Sequence, residues 1–276
     1  MTAPEPAPAP LRTLTTSTGT RIAYKDEHPP HPDPLLPPFL LLHGLAGHLG
    51  EWNDLTTRLL ADGHRVIRYD AAGHGASTRT PPDMSRKAAA ADAHTVLTTL
   101  KARPAILVGQ SLGGLTALLT AATHPSAVKA LILIEATPAA AAPDLPTQIA
   151  TWLDTWPTPF PSYRSAVTFF GHPSWADGLD WHTDGTGHPR ITPEKMIEAA
   201  HDPATRSYWD SWTTLRCPTL VVRGAQGSTP ASQLTAMHTH RPTETHLTTI
   251  PNAGHDVHLD RPEELHEAIS TFLDHL

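Results

Sequence analysis

Cysteine is nearly missing from this sequence: Cys217 is the only one in 276 residues. A single thiol excludes an internal disulfide and a cysteine-rich metal site. It fits a reducing compartment, so a cytoplasmic location is expected. Long apolar runs are missing as well. None approaches the roughly 20 residues that span a bilayer, and no membrane partner is expected. Charged residues make up only 17% of the chain, with a net charge of −7, and they form no long like-charge runs. Nothing resembles the basic patch that binds nucleic acid. The first ten residues, MTAPEPAPAP, hold neither Lys or Arg nor an apolar stretch, which excludes the pattern of a signal peptide. Residues 1–10 read as a disordered Pro-Ala tail. The length allows one α/β domain with an insertion, or at most two small domains, and a core that needs neither disulfide nor metal.

What is present alternates between strand and helix patterns. Residues 11–27 read as two short strands about a turn at Thr18-Gly19, and the proline-rich stretch 28–38 as a loop. FLLL at 39–42 is apolar throughout, the mark of a strand buried on both faces of a parallel sheet. Helical spacing follows at 51–62, then a strand at 65–70, a helix at 84–102 and a strand at 105–109. A helix at 112–124 and a strand at 128–135 come next, and the pattern resumes with strands at 219–224 and 245–250 and helices at 230–240 and 261–276. This is an α/β chain with a mostly parallel central sheet covered by helices on both faces.

Residues 138–212 interrupt the pattern. They hold six of the seven Trp, at 152, 156, 175, 181, 209 and 212, together with Phe160, Tyr163, Phe169, Phe170 and Tyr208. Such a segment needs a core of its own, and it also suits a lid over an apolar pocket. Trp152, Trp156, Phe160, Phe169 and Trp209 are the candidates for substrate contact, with Trp52 at the pocket edge. Trp175 and Trp181 stand among Gly, His and Asp in an expected loop.

Three motifs carry chemistry. Gly109-Gln110-Ser111-Leu112-Gly113 lies directly between a predicted strand and a predicted helix. That context makes it a nucleophile elbow, a turn so tight that flanking side chains collide with the backbone. Ser111 then stands at the carboxyl end of the sheet above a helix amino terminus, where negative charge is favoured. His43-Gly44-Leu45-Ala46-Gly47 ends another buried strand. There the N–H of Leu45 can join that of Leu112 as an oxyanion hole, with His43 reading as a structural side chain. Pro251-Asn252-Ala253-Gly254-His255 follows the last strand. Serine needs a base to attack at neutral pH, and imidazole titrates in the right range. Position singles out His255 among nineteen histidines; His258 reads as a partly exposed loop or helix-entry residue.

Together these residues resemble the α/β-hydrolase superfamily. The resemblance covers almost the whole chain: His43-Gly44, the run from Asp70 to Ser77, the elbow at Ser111, and Gly254-His255 followed by Arg261-Pro262-Glu263-Glu264-Leu265. It implies an α/β-hydrolase fold with core residues 11–137 and 213–276, a helical cap at 138–212, and a triad in the chain order Ser, acid, His. The sequence departs from the commonest form of the family after the strand at 219–224, where residues 223–230, RGAQGSTP, contain no carboxylate. Between Ser111 and His255, Glu135 alone stands at the carboxyl end of a core strand. Some relatives, certain haloalkane dehalogenases among them, carry their acid at that place, so Glu135 is assigned to orient His255, with a Ser–His dyad or an acid supplied by the cap as the alternatives.

These assignments imply acyl-enzyme chemistry on Ser111 with no cofactor and no metal, on a small apolar or aromatic substrate. A serine at 111, where dehalogenases and epoxide hydrolases of this fold use a carboxylate, argues against their reactions. Hydrolysis of a carboxylic ester, thioester or lactone is the first expectation. Carbon–carbon bond hydrolysis, hydroxynitrile cleavage and acyl transfer or cyclisation use the same residues. A non-catalytic ligand-binding protein is the remaining class.

Overall fold

The computed structural model describes residues 9–276; the expected tail lies almost wholly outside the described residues. Eight strands form the main sheet: β1 (Arg12–Thr15), β2 (Arg21–Glu27), β3 (Phe39–Leu42), β4 (Val66–Tyr69), β5 (Ala105–Gln110), β6 (Val128–Ile134), β9 (Thr219–Gly224) and β10 (Thr245–Ile250). Their spatial order is β1-β2-β4-β3-β5-β6-β9-β10. The β1–β2 and β2–β4 pairs are antiparallel, and all other pairs are parallel.

The apolar runs form central strands because both sheet faces are covered. Phe39 and Leu41 point into one core cluster, and Leu40 and Leu42 into the other. Ile106 and Val108 alternate with Leu107 in the same way, as the period-2 geometry of a strand requires. Helices α1 (Asn53–Ala61), α10 (Val257–Asp260) and α11 (Pro262–Leu273) lie with the cluster of Phe39. Helices α2 (Arg86–Thr99), α3 (Leu112–Thr123) and α9 (Ala231–His240) lie with the other.

Between β6 and β9 run α4 (Leu145–Asp154), α5 (Tyr163–Phe170), α6 (Pro173–Asp177), the two-residue strands β7 (Asp180–Trp181) and β8 (Gly187–His188), α7 (Pro193–Thr205) and α8 (Trp209–Thr213). Leu153, Trp156, Phe160, Met196 and Ala199 build a separate core there. Its last part is tied to the sheet: Tyr208 and Trp212 belong to the cluster under α3, and Trp212 Nε1 donates to the Met237 carbonyl at 3.0 Å.

One buried charge sits uncomfortably in this packing. Asp92 is only 8% exposed on the inner face of α2. Burial, with the nearby carboxylate of Asp83, pushes its carboxyl up to about 6. An acid whose folded-state pKa is raised binds its proton more tightly folded than unfolded. Its ionisation therefore removes stability as pH climbs from about 4 to about 6. Asp92→Asn is expected to gain about 1–2 kcal/mol at pH 7.5 and nothing at pH 3.5. Urea denaturation of both proteins at the two pH values checks this.

Candidate active site

The carboxyl ends of β3, β5, β6 and β9 converge on a cavity of about 660 Å³. Ser111 enters it from the turn between β5 and α3, with φ +50° and ψ −118°. A non-glycine residue holds such a conformation only when its surroundings force it. The main chain does so here. The Ser111 N–H donates to the Ile134 carbonyl at 2.9 Å, and α3 runs so close to β3 that a Cβ on Gly113 would stand 2.3 Å from the Leu42 oxygen. Glu135 also has a positive φ, at 49°, so two strained residues line one cavity; Ala46, with φ 61°, lies in the loop that follows Leu45.

Leu45 and Leu112 both line the cavity. Neither N–H donates to a protein acceptor among the described residues. The loop that carries Leu45 is held by two imidazoles. His43 Nε2 accepts the Ala71 N–H at 3.0 Å, and His74 Nε2 accepts the Ala46 N–H at 3.1 Å. Burial, helped by the neighbouring His43, pushes His74 down to about 3, which keeps its ring neutral and able to accept.

His255 reaches the same cavity from the turn after β10. The residue before the serine fastens it there: Gln110 Nε2 donates to the His255 carbonyl at 3.2 Å and to Asp256 Oδ1 at 3.3 Å. His255 Nδ1 lies 2.9 Å from Ser228 Oγ and 3.4 Å from Glu135 Oε2. Ser228 Oγ in turn donates to Glu135 Oε2 at 3.4 Å. The hydroxyl thus bridges imidazole and carboxylate.

The segment after β9, empty of acids, wraps the carboxylate supplied by the neighbouring strand. Glu135 accepts the Gly224 N–H at 2.8 Å and the Thr229 N–H at 2.9 Å. A Cβ on Gly227 would stand 2.1 Å from Glu135 Oε1, so the wrap needs glycine there. Burial pushes the Glu135 carboxyl up, but the hydrogen bonds from His255, Thr229 and Gly224 outweigh it and hold it below the ordinary range.

Of the six aromatics expected to touch substrate, Trp152 lines the cavity. The other five lie elsewhere. Trp52 and Phe160 are fully buried in separate cores. Trp156 packs edge-on to Trp152 and Phe170, with its ring inside the inserted segment. Phe169 points outward, 39% exposed. Trp209 packs against His240 and the sheet's core. Trp175, expected in a loop, stands on α6 and does line the cavity, and its Nε1 donates to Asp256 Oδ2 at 3.0 Å. His258, expected to be partly exposed, is 2% exposed on α10, with Nε2 3.5 Å from Glu51 Oε2. Sequence reasoning passed over Gln110, Ser228, Thr229, Asp256 and His74. Only the position of Gln110 inside the elbow motif gave a signal.

The sequence profile of the alpha/beta hydrolase family matches residues 39–268. Mouse sn-1-specific diacylglycerol lipase ABHD11 is 26% identical over 272 residues, which span 87% of this chain and 82% of the lipase. The (E)-2-((N-methylformamido)methylene)succinate hydrolase of Acinetobacter baylyi is 22% identical over 254 residues, 86% of this chain and 90% of that protein. The crystal structure of E-2-(acetamidomethylene)succinate hydrolase superposes with a TM-score of 0.83 at 21% identity, covering 96% of this chain and 99% of the other. That last likeness is one of fold.

Proposed function

Since the chain belongs to the alpha/beta hydrolase family, we propose that it hydrolyses a carboxylic ester, thioester or lactone through an acyl-enzyme on Ser111. His255 is the base, Glu135 the acid behind it, and residues 138–212 form a cap. The observation that carries this reading is the strained Ser111 in one cavity with a histidine whose Nδ1 faces a buried, hydrogen-bonded carboxylate.

The chemistry follows from these positions. His255 Nε2 takes the Ser111 proton as Oγ attacks the acyl carbon. The oxyanion is received by the N–H groups of Leu45 and Leu112, each worth about 3 kcal/mol of barrier. Glu135 favours the imidazolium, both directly and through Ser228 Oγ. The leaving group departs with the proton from His255, and water deprotonated by the same ring clears the acyl group. Trp152 and Trp175 from the cap, with Ala139–Ala142, Leu145 and Ile149, give the cavity an apolar wall suited to the carbon skeleton of a small substrate. The mouse and Acinetobacter relatives are named as hydrolases, which supports hydrolysis over the lyase and transfer reactions. A cytoplasmic location belongs to this reading on the ground of the single thiol, Cys217; no helix among the described residues is long and apolar enough to cross a membrane.

Fluorophosphonate labelling tests the reading. The protein is expected to take up one probe per chain, and Ser111→Ala to take up none. Folded protein that resists the probe would leave a non-catalytic binding protein as the better reading.

A further inference from the structure

Asp256 follows His255 directly and lines the cavity. Its Oδ2 accepts the Trp175 Nε1–H at 3.0 Å, and its Oδ1 accepts from Gln110 Nε2 at 3.3 Å. Both partners are neutral. The other two carboxylates of the lining each face a histidine: Glu135 has His255 at 3.4 Å, and Glu51 has His258 at 3.5 Å. No Lys or Arg belongs to the lining, and among the described residues Asp256 forms no salt bridge. The cavity wall therefore carries an unpaired acidic side chain within hydrogen-bonding distance of the residue preceding the nucleophile. The rest of the wall is mostly apolar, so little screens that charge.

We propose that Asp256 is a specificity-determining residue: it opens the Ser111 cavity to acyl substrates that are uncharged or carry an ammonium group, and closes it to substrates that carry a carboxylate. The inference rests on Ser111 being the nucleophile. Repulsion is an efficient way to reject a wrong ligand, because a second anion entering the cavity meets Asp256 and no Lys or Arg to pair with. A quaternary ammonium group meets the opposite situation. It is attracted by the carboxylate, and the aromatic side chains of Trp152 and Trp175 belong to the same lining, with ring centroids 6.2 Å apart. This separates the chain from the two succinate hydrolases of similar fold, whose substrates are named as dicarboxylates.

A purely structural Asp256, serving only to hold Trp175, predicts something different. Its loss would then lower turnover of all substrates alike. Three matched p-nitrophenyl esters distinguish the two: the valerate, the monoester of adipic acid, and the 5-(trimethylammonio)pentanoate. The native protein is expected to favour the valerate over the adipate monoester by at least thirtyfold in kcat/KM. Asp256→Asn is expected to shrink that ratio at least tenfold, and to lower the preference for the ammonium ester over the valerate. Native protein that hydrolyses the adipate monoester within threefold of the valerate would overturn the proposal, whether or not the variant folds. An unchanged ratio in folded Asp256→Asn would overturn it too.

If none of the three esters is cleaved and fluorophosphonate leaves Ser111 unlabelled, the nucleophile assignment fails, and the charge rule is still read by calorimetry. Butyltrimethylammonium is expected to bind the native protein, and to bind Asp256→Asn at least fivefold more weakly, while valerate anion does not bind. Valerate anion binding as tightly as the ammonium ion would sink the charge rule independently of turnover.

Discussion

Replacing His255 with alanine is expected to lower kcat by about ten-thousandfold or more while the protein stays folded. The two halves of that expectation have separate grounds. Among the described residues the ring is the only imidazole that lines the cavity with Ser111, so on the proposed assignment the serine hydroxyl has no base without it. The ring is also 42% exposed, and its side-chain hydrogen bonds run through Nδ1 alone, to Ser228 and Glu135. Glu135 keeps the Gly224, Ser228 and Thr229 donors when the ring is removed. Losing the ring removes one of the hydrogen bonds that hold the Glu135 carboxyl low, so a cost of about 1 kcal/mol is expected, too little to unfold the protein.

His258 supplies the contrast. Its ring is buried 4.4 Å from that of Trp52, against the buried Glu51 carboxylate. Burial pushes the Glu51 carboxyl up, and His258 and His48 more than offset that. Removing His258 leaves the buried Glu51 carboxylate with the His48 N–H at 3.2 Å but without its facing imidazole, and His258→Ala is expected to cost about 2–3 kcal/mol of stability. Turnover per folded molecule and thermal melting, measured on both variants, give opposite patterns if the assignment is right. A His255→Ala enzyme that kept a tenth of native kcat would refute it.

The parts of this arrangement that could be read from the sequence are those written in adjacent residues. FLLL and AILVG announce strands buried on two faces because every position is apolar, and the elbow is a run of five residues whose glycines have local steric reasons. Glu135 emerged from the position of a strand end together with the absence of acids at 223–230. Contacts made between distant segments left no such trace. Gln110 meets His255 across 145 positions and Trp175 meets Asp256 across 81. Neither Ser228 nor Asp256 differs in its surroundings from an ordinary loop residue until the chain is folded. The aromatics show the same limit from another side. A tryptophan-rich segment signals that large rings will be buried, but helical spacing does not say against what. Trp156 and Phe160 went into the insertion's own core, and Trp52 went under the sheet. Trp175 faces the cavity because its indole N–H found a carboxylate there.

Glu135→Gln is expected to lower kcat by about a hundredfold to ten-thousandfold, and Ser228→Ala by less than about tenfold. The order is instructive because the shorter contact to His255 belongs to Ser228, at 2.9 Å against 3.4 Å for Glu135. If distance ruled, the serine would matter more. Charge decides instead. In the proposed transition state the ring becomes an imidazolium, and a carboxylate that accepts from it stabilises that cation far better than a neutral hydroxyl does. Without Ser228, Nδ1–H still has Glu135 beside it. Without the charge of Glu135, Ser228 has no anion behind it.

The same substitution carries a stability signature. The Glu135 carboxyl is held below the ordinary carboxylate range, so its ionised form stabilises the fold. That contribution is present above the unfolded-state value of about 4.3 and is lost as pH falls through the lower folded-state value. A glutamine would also turn an amide donor toward the N–H of Gly224 or Thr229, where an acceptor is required. Glu135→Gln should therefore melt below the native protein at pH 7, and the gap should narrow as pH is lowered toward 3. Melting curves across that range, with kcat measured on the folded fraction at pH 7, examine both expectations. A Glu135→Gln enzyme slower than native by no more than Ser228→Ala would mean that the imidazolium draws its support from elsewhere.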